Sequence, residues 1–311
     1  MATSGSRIPR QFVVPLNMNG LKGRMVRMPP PKGRKRELLL LYGTHASLER
    51  SFGFAEALND YAGVTMPDLP GFGGMDSFYS IGERPDLDNL ADYLAAFVKL
   101  RFNHRKRFTI VAVSLGFVVA TRMLQRYPEI AARVDVCVSI VGFTHYDEFM
   151  FPPTRRRLYR LGTGVFANRL PALFYRGIIL HPTVIRTSYA RTHNARHKFK
   201  NLTPDHARAA IDYEVYLWRL NDLRTYMYTS NWVLKLNNCI ARVELPVWHV
   251  AVADDNYFDN SVVEQHLHVI YKRVRILKAR LENHAPTLFA DKADAARLLP
   301  KALVTMLDKD K

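Results

Sequence analysis

The chain has 311 residues, enough for one large α/β domain with an insertion and a sizeable buried core. Its 48% apolar and 23% charged residues are ordinary for a soluble globular protein, and two distant cysteines, Cys137 and Cys239, exclude a disulfide framework and a cysteine metal site. The formal charge of +17 is spread over basic clusters at 32–36, 105–107, 155–157, 196–200 and 272–280, with no nucleic-acid-binding motif beside them. A basic solvated surface is the plain reading, attraction to an anionic membrane surface or an acidic substrate the other, and nucleic acid is not expected as a partner.

No apolar run approaches the length of a membrane span, and the first residues lack the apolar core of a signal peptide. With the cysteine usage, this makes a reducing, cytoplasmic setting the expectation.

Residues 1–10 read as a flexible tail. Residues 11–28 carry two β-like runs around Asn19-Gly20, a pair that favours the tight turn of a hairpin. The run Glu37-Leu38-Leu39-Leu40-Leu41-Tyr42 is too short for a good helix and predicts a central strand ending in Gly43-Thr44-His45-Ala46-Ser47. Helical spacing follows over 48–61, through Phe52, Ala55 and Leu58. Val64-Thr65-Met66-Pro67-Asp68 predicts another strand, closed by Leu69-Pro70-Gly71-Phe72-Gly73-Gly74. Residues 86–102 predict a helix with aspartate at its start and lysine and arginine at its end, the orientation that the helix dipole favours.

Residues 108–120 change period at one point. Phe108-Thr109-Ile110-Val111-Ala112-Val113 is rich in β-branched residues, as a strand buried on both faces should be. From Leu115 the spacing becomes helical, with Leu115, Val119, Met123 and Tyr127 on one face and Arg122 and Arg126 on another. No loop fits between the two, so Ser114 must turn the chain alone and stand clear of the sheet. A serine that merely caps the helix is the simpler alternative.

Residues 134–141 predict a further strand. The pattern breaks over 144–238, which lacks a convincing buried strand and is rich in Arg, His, Tyr and Phe. Thr203-Pro204-Asp205 starts a helix whose apolar stripe is Ala207, Ala210, Ile211, Val215 and Trp218. This segment reads as a helical cap over the strand tips, inserted into a core of 11–143 and 239–311. Residues 245–252 then predict a strand followed by Ala253-Asp254-Asp255-Asn256-Tyr257-Phe258-Asp259, residues 262–271 a helix, and 274–277 a last strand. Glu282-Asn283-His284-Ala285-Pro286-Thr287 leads into a C-terminal helix.

Strands alternating with helices predict an α/β fold, a mostly parallel central sheet flanked by helices. Ligands in such sheets bind at the carboxyl ends of the strands, here 43–47, 70–74, Ser114 and 142–147.

Serine, aspartate and histidine thus follow in that order on successive strand tips, and the chain resembles the α/β-hydrolase fold family from Phe12 to the C-terminal helix. Ala112-Val113-Ser114-Leu115-Gly116 is similar to the G-x-S-x-G nucleophile elbow, with alanine for the first glycine. Tyr42-Gly43-Thr44 stands where the family has His-Gly-x, and Asp68-Leu69-Pro70-Gly71-Phe72-Gly73 looks like its D-x-P-G-x-G turn.

The resemblance implies Ser114 as nucleophile, His284 as its base and Asp255 as the acid, with Asp254 the runner-up and Asp259 a helix cap. Backbone amides of Thr44 and Leu115 would form the oxyanion hole. His45 and His145 at strand tips, and Trp218 on the cap, are the substrate-binding candidates, though either histidine could instead make only a local turn contact. No cofactor is implied. His193 and His197 share a helical spacing but lack the glutamate of the zinc-protease motif, so no metal is expected.

The implied activity is hydrolysis of an ester or related acyl bond in a small-molecule substrate through a Ser114 acyl-enzyme. A lyase, or a non-catalytic small-molecule receptor on the same fold, is the alternative. Dehalogenase and epoxide hydrolase chemistry is disfavoured, because those relatives need an aspartate where Ser114 stands.

Overall fold

The computed structural model describes residues 8–191, 204–252, 255–279 and 292–309. Its eight strands form one sheet in the order β1-β2-β4-β3-β5-β6-β7-β8. The hairpin is β1 (Val13–Met18) and β2 (Leu21–Met28), joined through Asn19 and Gly20, both at positive φ as a tight turn requires. β2 pairs antiparallel with β4 (Gly63–Pro67), and all later pairings are parallel. The centre is β3 (Glu37–Leu41), β5 (Phe108–Val113) and β6 (Val134–Ile140), where Leu38 to Leu41, Ile110, Val111 and Val138 are fully buried.

Helices α1 (Leu48–Asn59), α2 (Leu87–Arg101) and α3 (Leu115–Arg126) flank the sheet, with the short α4 (Pro128–Ala131) before β6. α1 starts on Ser47, whose side chain accepts from the Arg50 N–H, and α2 starts on Asp86, which accepts from Asn89 N–H. The last strands are β7 (Val243–Val252) and β8 (Tyr271–Ala279), which bracket α10 (Asn260–Ile270). β8 is longer than its apolar run predicts. It is an edge strand, and the exposed Lys272, Arg273 and Arg275 keep that edge charged. The chain ends in α11 (Lys292–Leu298) and α12 (Lys301–Asp308).

Between β6 and β7 the described residues form helices α5 (Pro153–Phe166), α6 (Arg169–Ile178), α7 (Pro182–Arg191), α8 (Pro204–Leu220) and α9 (Leu223–Val233). The α8–α9 junction is tied to the turn after β4. The Asn221 side chain accepts from Gly73 N–H at 2.8 Å, and Asp222 N–H donates to the Gly71 carbonyl at 2.8 Å. A Cβ on Gly71 would sit 2.5 Å from Thr225 Oγ1, so only glycine lets α9 come this close, and its φ of +82° requires glycine independently.

Candidate active site

Ser114 is the single residue between β5 and α3, at φ 48° and ψ −116°. Few side chains adopt that conformation, and it persists here because both flanking elements are locked in the core. α3 packs directly on the end of β3, the neighbour of the strand it leaves: a Cβ on Gly116 would lie 2.7 Å from the Tyr42 carbonyl oxygen and 2.8 Å from Leu41 Cβ. Ala112, the departure from the elbow pattern, is fully buried in β5.

Ser114, Leu115, Gly43, Thr44 and His45 line one wall of a cavity of about 690 Å³. The position that a Gly43 Cβ would take is 3.2 Å from Ser114 Cβ, so the loop after β3 runs immediately beside the serine. Leu115 is the first residue of α3, where backbone N–H groups have no partner inside the helix. The opposite wall comes from the helical segment, with Tyr159 and Thr163 of α5, Tyr175 of α6, Trp218 of α8 and Tyr226 of α9. Phe143, Phe149 and Phe258 also line the cavity, and the Phe143 and Phe258 rings stack at 4.5 Å. The cavity is therefore rich in aromatic side chains.

Its acid, guanidinium and imidazole groups meet at one place. His45 has a φ of 51°, and its ring lies 4.0 Å from that of Trp218. Its Nε2 is 3.3 Å from Glu214, which also takes Arg50 Nη2 at 3.3 Å, while Arg50 Nη1 donates to the His45 carbonyl at 3.2 Å. Glu214 and Arg50 both line the cavity. The two substrate-binding candidates His45 and Trp218 are thus brought together, with a partner, Glu214, that the sequence reading passed over. The signal was present: Glu214 interrupts an otherwise apolar stripe, four residues after Ala210 and four before Trp218.

Tyr42, which replaces the family's histidine, is fully buried and donates to Asp68 Oδ1 at 2.7 Å, while Leu69 N–H donates to its hydroxyl at 3.2 Å. Burial pushes the Asp68 carboxyl well above its ordinary range, against the opposing pull of Tyr42 and Arg24. This buried pair fixes the turn after β4 relative to the loop carrying Thr44.

The third substrate-binding candidate sits elsewhere. His145 does not line the cavity. Its ring packs 4.3 Å from Tyr146 and 4.6 Å from His266 of α10, and its Nδ1 accepts from Asp147 N–H at 3.2 Å. The cause is buried Glu148, which takes hydrogen bonds from Thr144 N–H and hydroxyl and pairs with His266 at 2.8 Å, turning this loop toward α10. In the structure His145 makes these local contacts.

Asp255 follows β7, and its Oδ1 accepts from Tyr257 N–H at 2.8 Å and Phe258 N–H at 3.2 Å. Tyr257 and Phe258 line the cavity, so Asp255 anchors a segment of its wall. Asp254 and His284 lie outside the described residues. No cluster of metal-ligating side chains occurs among the described residues.

A search of curated protein sequences returns no match. Solved structures similar to this chain share its fold at low identity. A putative acyltransferase from Salmonella enterica is 16% identical, with 96% of each chain covered and a TM-score of 0.67. A product complex of an epoxide hydrolase variant from Bacillus megaterium is 12% identical, with 94% of this chain and 99% of that one covered and a TM-score of 0.65. An enol-lactonase from Burkholderia xenovorans LB400 is 10% identical, with 95% and 100% covered and a TM-score of 0.63. The sequence profile of the Alpha/beta hydrolase family matches residues 42–298, from the residue after β3 to the end of α11, and the chain belongs to that family.

Proposed function

We propose that the chain is a serine hydrolase that cleaves an ester or related acyl bond. Ser114 is the nucleophile, His284 its base, and Asp255 the acid that orients the imidazole. The observation that carries this reading is Ser114 itself, a strained strand-to-helix serine on the wall of an aromatic-rich cavity. An aspartate at this position would favour epoxide or haloalkane chemistry; serine favours acyl transfer.

In this reading the acyl chain lies among the aromatic side chains of the helical segment, 144–238, which serves as a cap. His284 takes the Ser114 proton as the hydroxyl attacks the acyl carbon. Leu115 and Thr44 amides hold the developing oxyanion; one such donor contributes on the order of 3–4 kcal/mol. The proton then passes from His284 to the departing alcohol. Water, activated by the same imidazole, attacks the acyl-enzyme and restores Ser114. Asp255 suits its role by position, at the end of a strand two places from the one that carries Ser114. A reducing, cytoplasmic setting accords with Cys137 and Cys239 both being free thiols.

The test is hydrolysis of nitrophenyl esters of rising acyl length by the wild type and by Ser114→Ala. The expected result is turnover that Ser114→Ala lowers by at least about a thousandfold. Equal turnover by the variant would remove Ser114 from the mechanism. Absence of any ester turnover, with retained binding of apolar esters, would favour the lyase or receptor reading.

A further inference from the structure

The outward faces of α5 and α6 are apolar and uncovered. On α5, Leu158, Leu161 and Val165 are 67%, 68% and 45% exposed; on α6, Leu170, Leu173, Phe174 and Ile178 are 77%, 60%, 61% and 50% exposed. Both sets follow helical spacing, so each helix presents a continuous stripe and not scattered side chains. Ala172 is the one buried residue of α6. Of the seventeen large apolar residues exposed among the described residues, eleven fall between Met150 and Val184. Single exposed leucines need no explanation, but a two-helix apolar face does.

The charge beside this face is one-sided. Residues 149–191 contain eight arginines and not one aspartate or glutamate, although the whole chain has 28 acidic residues. Arg155, Arg157, Arg160, Arg169 and Arg176 are exposed on the same two helices. Arg156 and Arg186 are paired with Asp147 and Asp212. Leucine and phenylalanine on one stripe with arginine at its borders is the composition of a helix that lies in a membrane interface. A second copy of this chain would set arginine against arginine across the same contact. An anionic lipid surface satisfies both features at once, taking the apolar side chains below the headgroups and the guanidinium groups at the phosphates.

We propose that α5 and α6 form a peripheral docking face for anionic bilayers. No helix of the described residues is long and apolar enough to cross a membrane, so the association is interfacial. The opposite sides of the same helices give Tyr159, Thr163 and Tyr175 to the cavity, so the docked face and the cavity wall are two sides of one layer. The proposal does not depend on Ser114 chemistry, and its test is independent of turnover.

The experiment is sedimentation of the full chain, as Ser114→Ala, with vesicles of phosphatidylcholine alone and of phosphatidylcholine mixed with phosphatidylglycerol. Binding is expected to the mixed vesicles and to weaken as salt rises. Replacing Leu173 and Phe174 together by serine is expected to weaken binding at least about tenfold. Arg157→Gln and Arg160→Gln are each expected to weaken it about fivefold. A Phe174→Trp chain, with its own folded spectrum as control, should show a blue shift in emission on addition of the mixed vesicles.

No binding to anionic vesicles, or binding that the serine pair leaves unchanged, overturns the proposal. So does a serine pair that dissolves an oligomer of a chain with no vesicle affinity, which would assign the face to a second copy.

Discussion

At Ser114 the backbone conformation costs free energy that a glycine would not incur. Strain of this kind amounts to about 1–3 kcal/mol. Ser114→Gly is therefore expected to unfold at higher denaturant than Ser114→Ala, with the difference near the lower end of that range; an alanine variant equal to or more stable than the glycine would show that the turn is unstrained. Tyr42 makes a second case. Tyr42→Phe leaves the buried Asp68 Oδ1 and the Leu69 N–H without the hydroxyl that bridges them. The expected loss is about 1–3 kcal/mol in chemical denaturation, and a neutral substitution would mean that the hydroxyl is replaceable there. Ser114 was legible in the sequence because the hydrophobic period changes at that residue. The partner of Tyr42 was not, because nothing in a sequence shows that residues 42 and 68 meet at the ends of adjacent strands.

Among elements, α8 is held to the core through Glu214, which pairs with His45 and Arg50 across the cavity wall. Removing one member of a buried ionic group leaves the others without compensation. Glu214→Ala is expected to cost about 3 kcal/mol and to make the helical segment the first site of limited proteolysis; an unchanged digestion pattern would show that α8 is held by packing alone. The loop after β6 gives a pH dependence. Burial and the nearby His266 hold the His145 imidazole below its ordinary 6.5, opposed by Asp147 and Glu148 and reinforced by Arg156. The unfolded chain then takes up the proton first as pH falls. The stability linked to His145 is full above 6.5 and is lost as pH drops through the folded value. Thermal midpoints measured from about pH 8 to 5 should fall less steeply in His145→Gln than in the wild type; identical slopes would remove His145 from the acid sensitivity.

Most strands and core helices were legible because each is a short apolar run with its own punctuation: Asn19-Gly20 for the hairpin, Asp86 for α2 and Pro204 for α8. The edge strand was read too short because exposed charged residues interrupt its apolar run at both ends. Which way His145 faces was not legible, because a strand-tip position does not say which way a loop turns, and the contacts of buried Glu148 with Thr144 and His266 are long-range or local details of the fold.

For the whole molecule, the positive charge reads from the sequence as diffuse. The fold gives part of it a setting by putting an acid-free arginine segment beside an uncovered apolar face. The sheet order gives Ser114 its setting in the same way, since residues far apart in sequence become neighbours at one edge of β5, β6 and β7. The chemistry proposed here therefore depends on Ser114 being the one activated hydroxyl of the chain. The most direct measurement is the mass of the intact protein, and of its proteolytic peptides, after exposure to a fluorophosphonate. One adduct per chain, on the peptide containing Ser114, absent in Ser114→Ala and formed far more slowly in His284→Ala, is the expected result. An adduct on another residue, or a folded chain whose Ser114 stays unmodified, would contradict it.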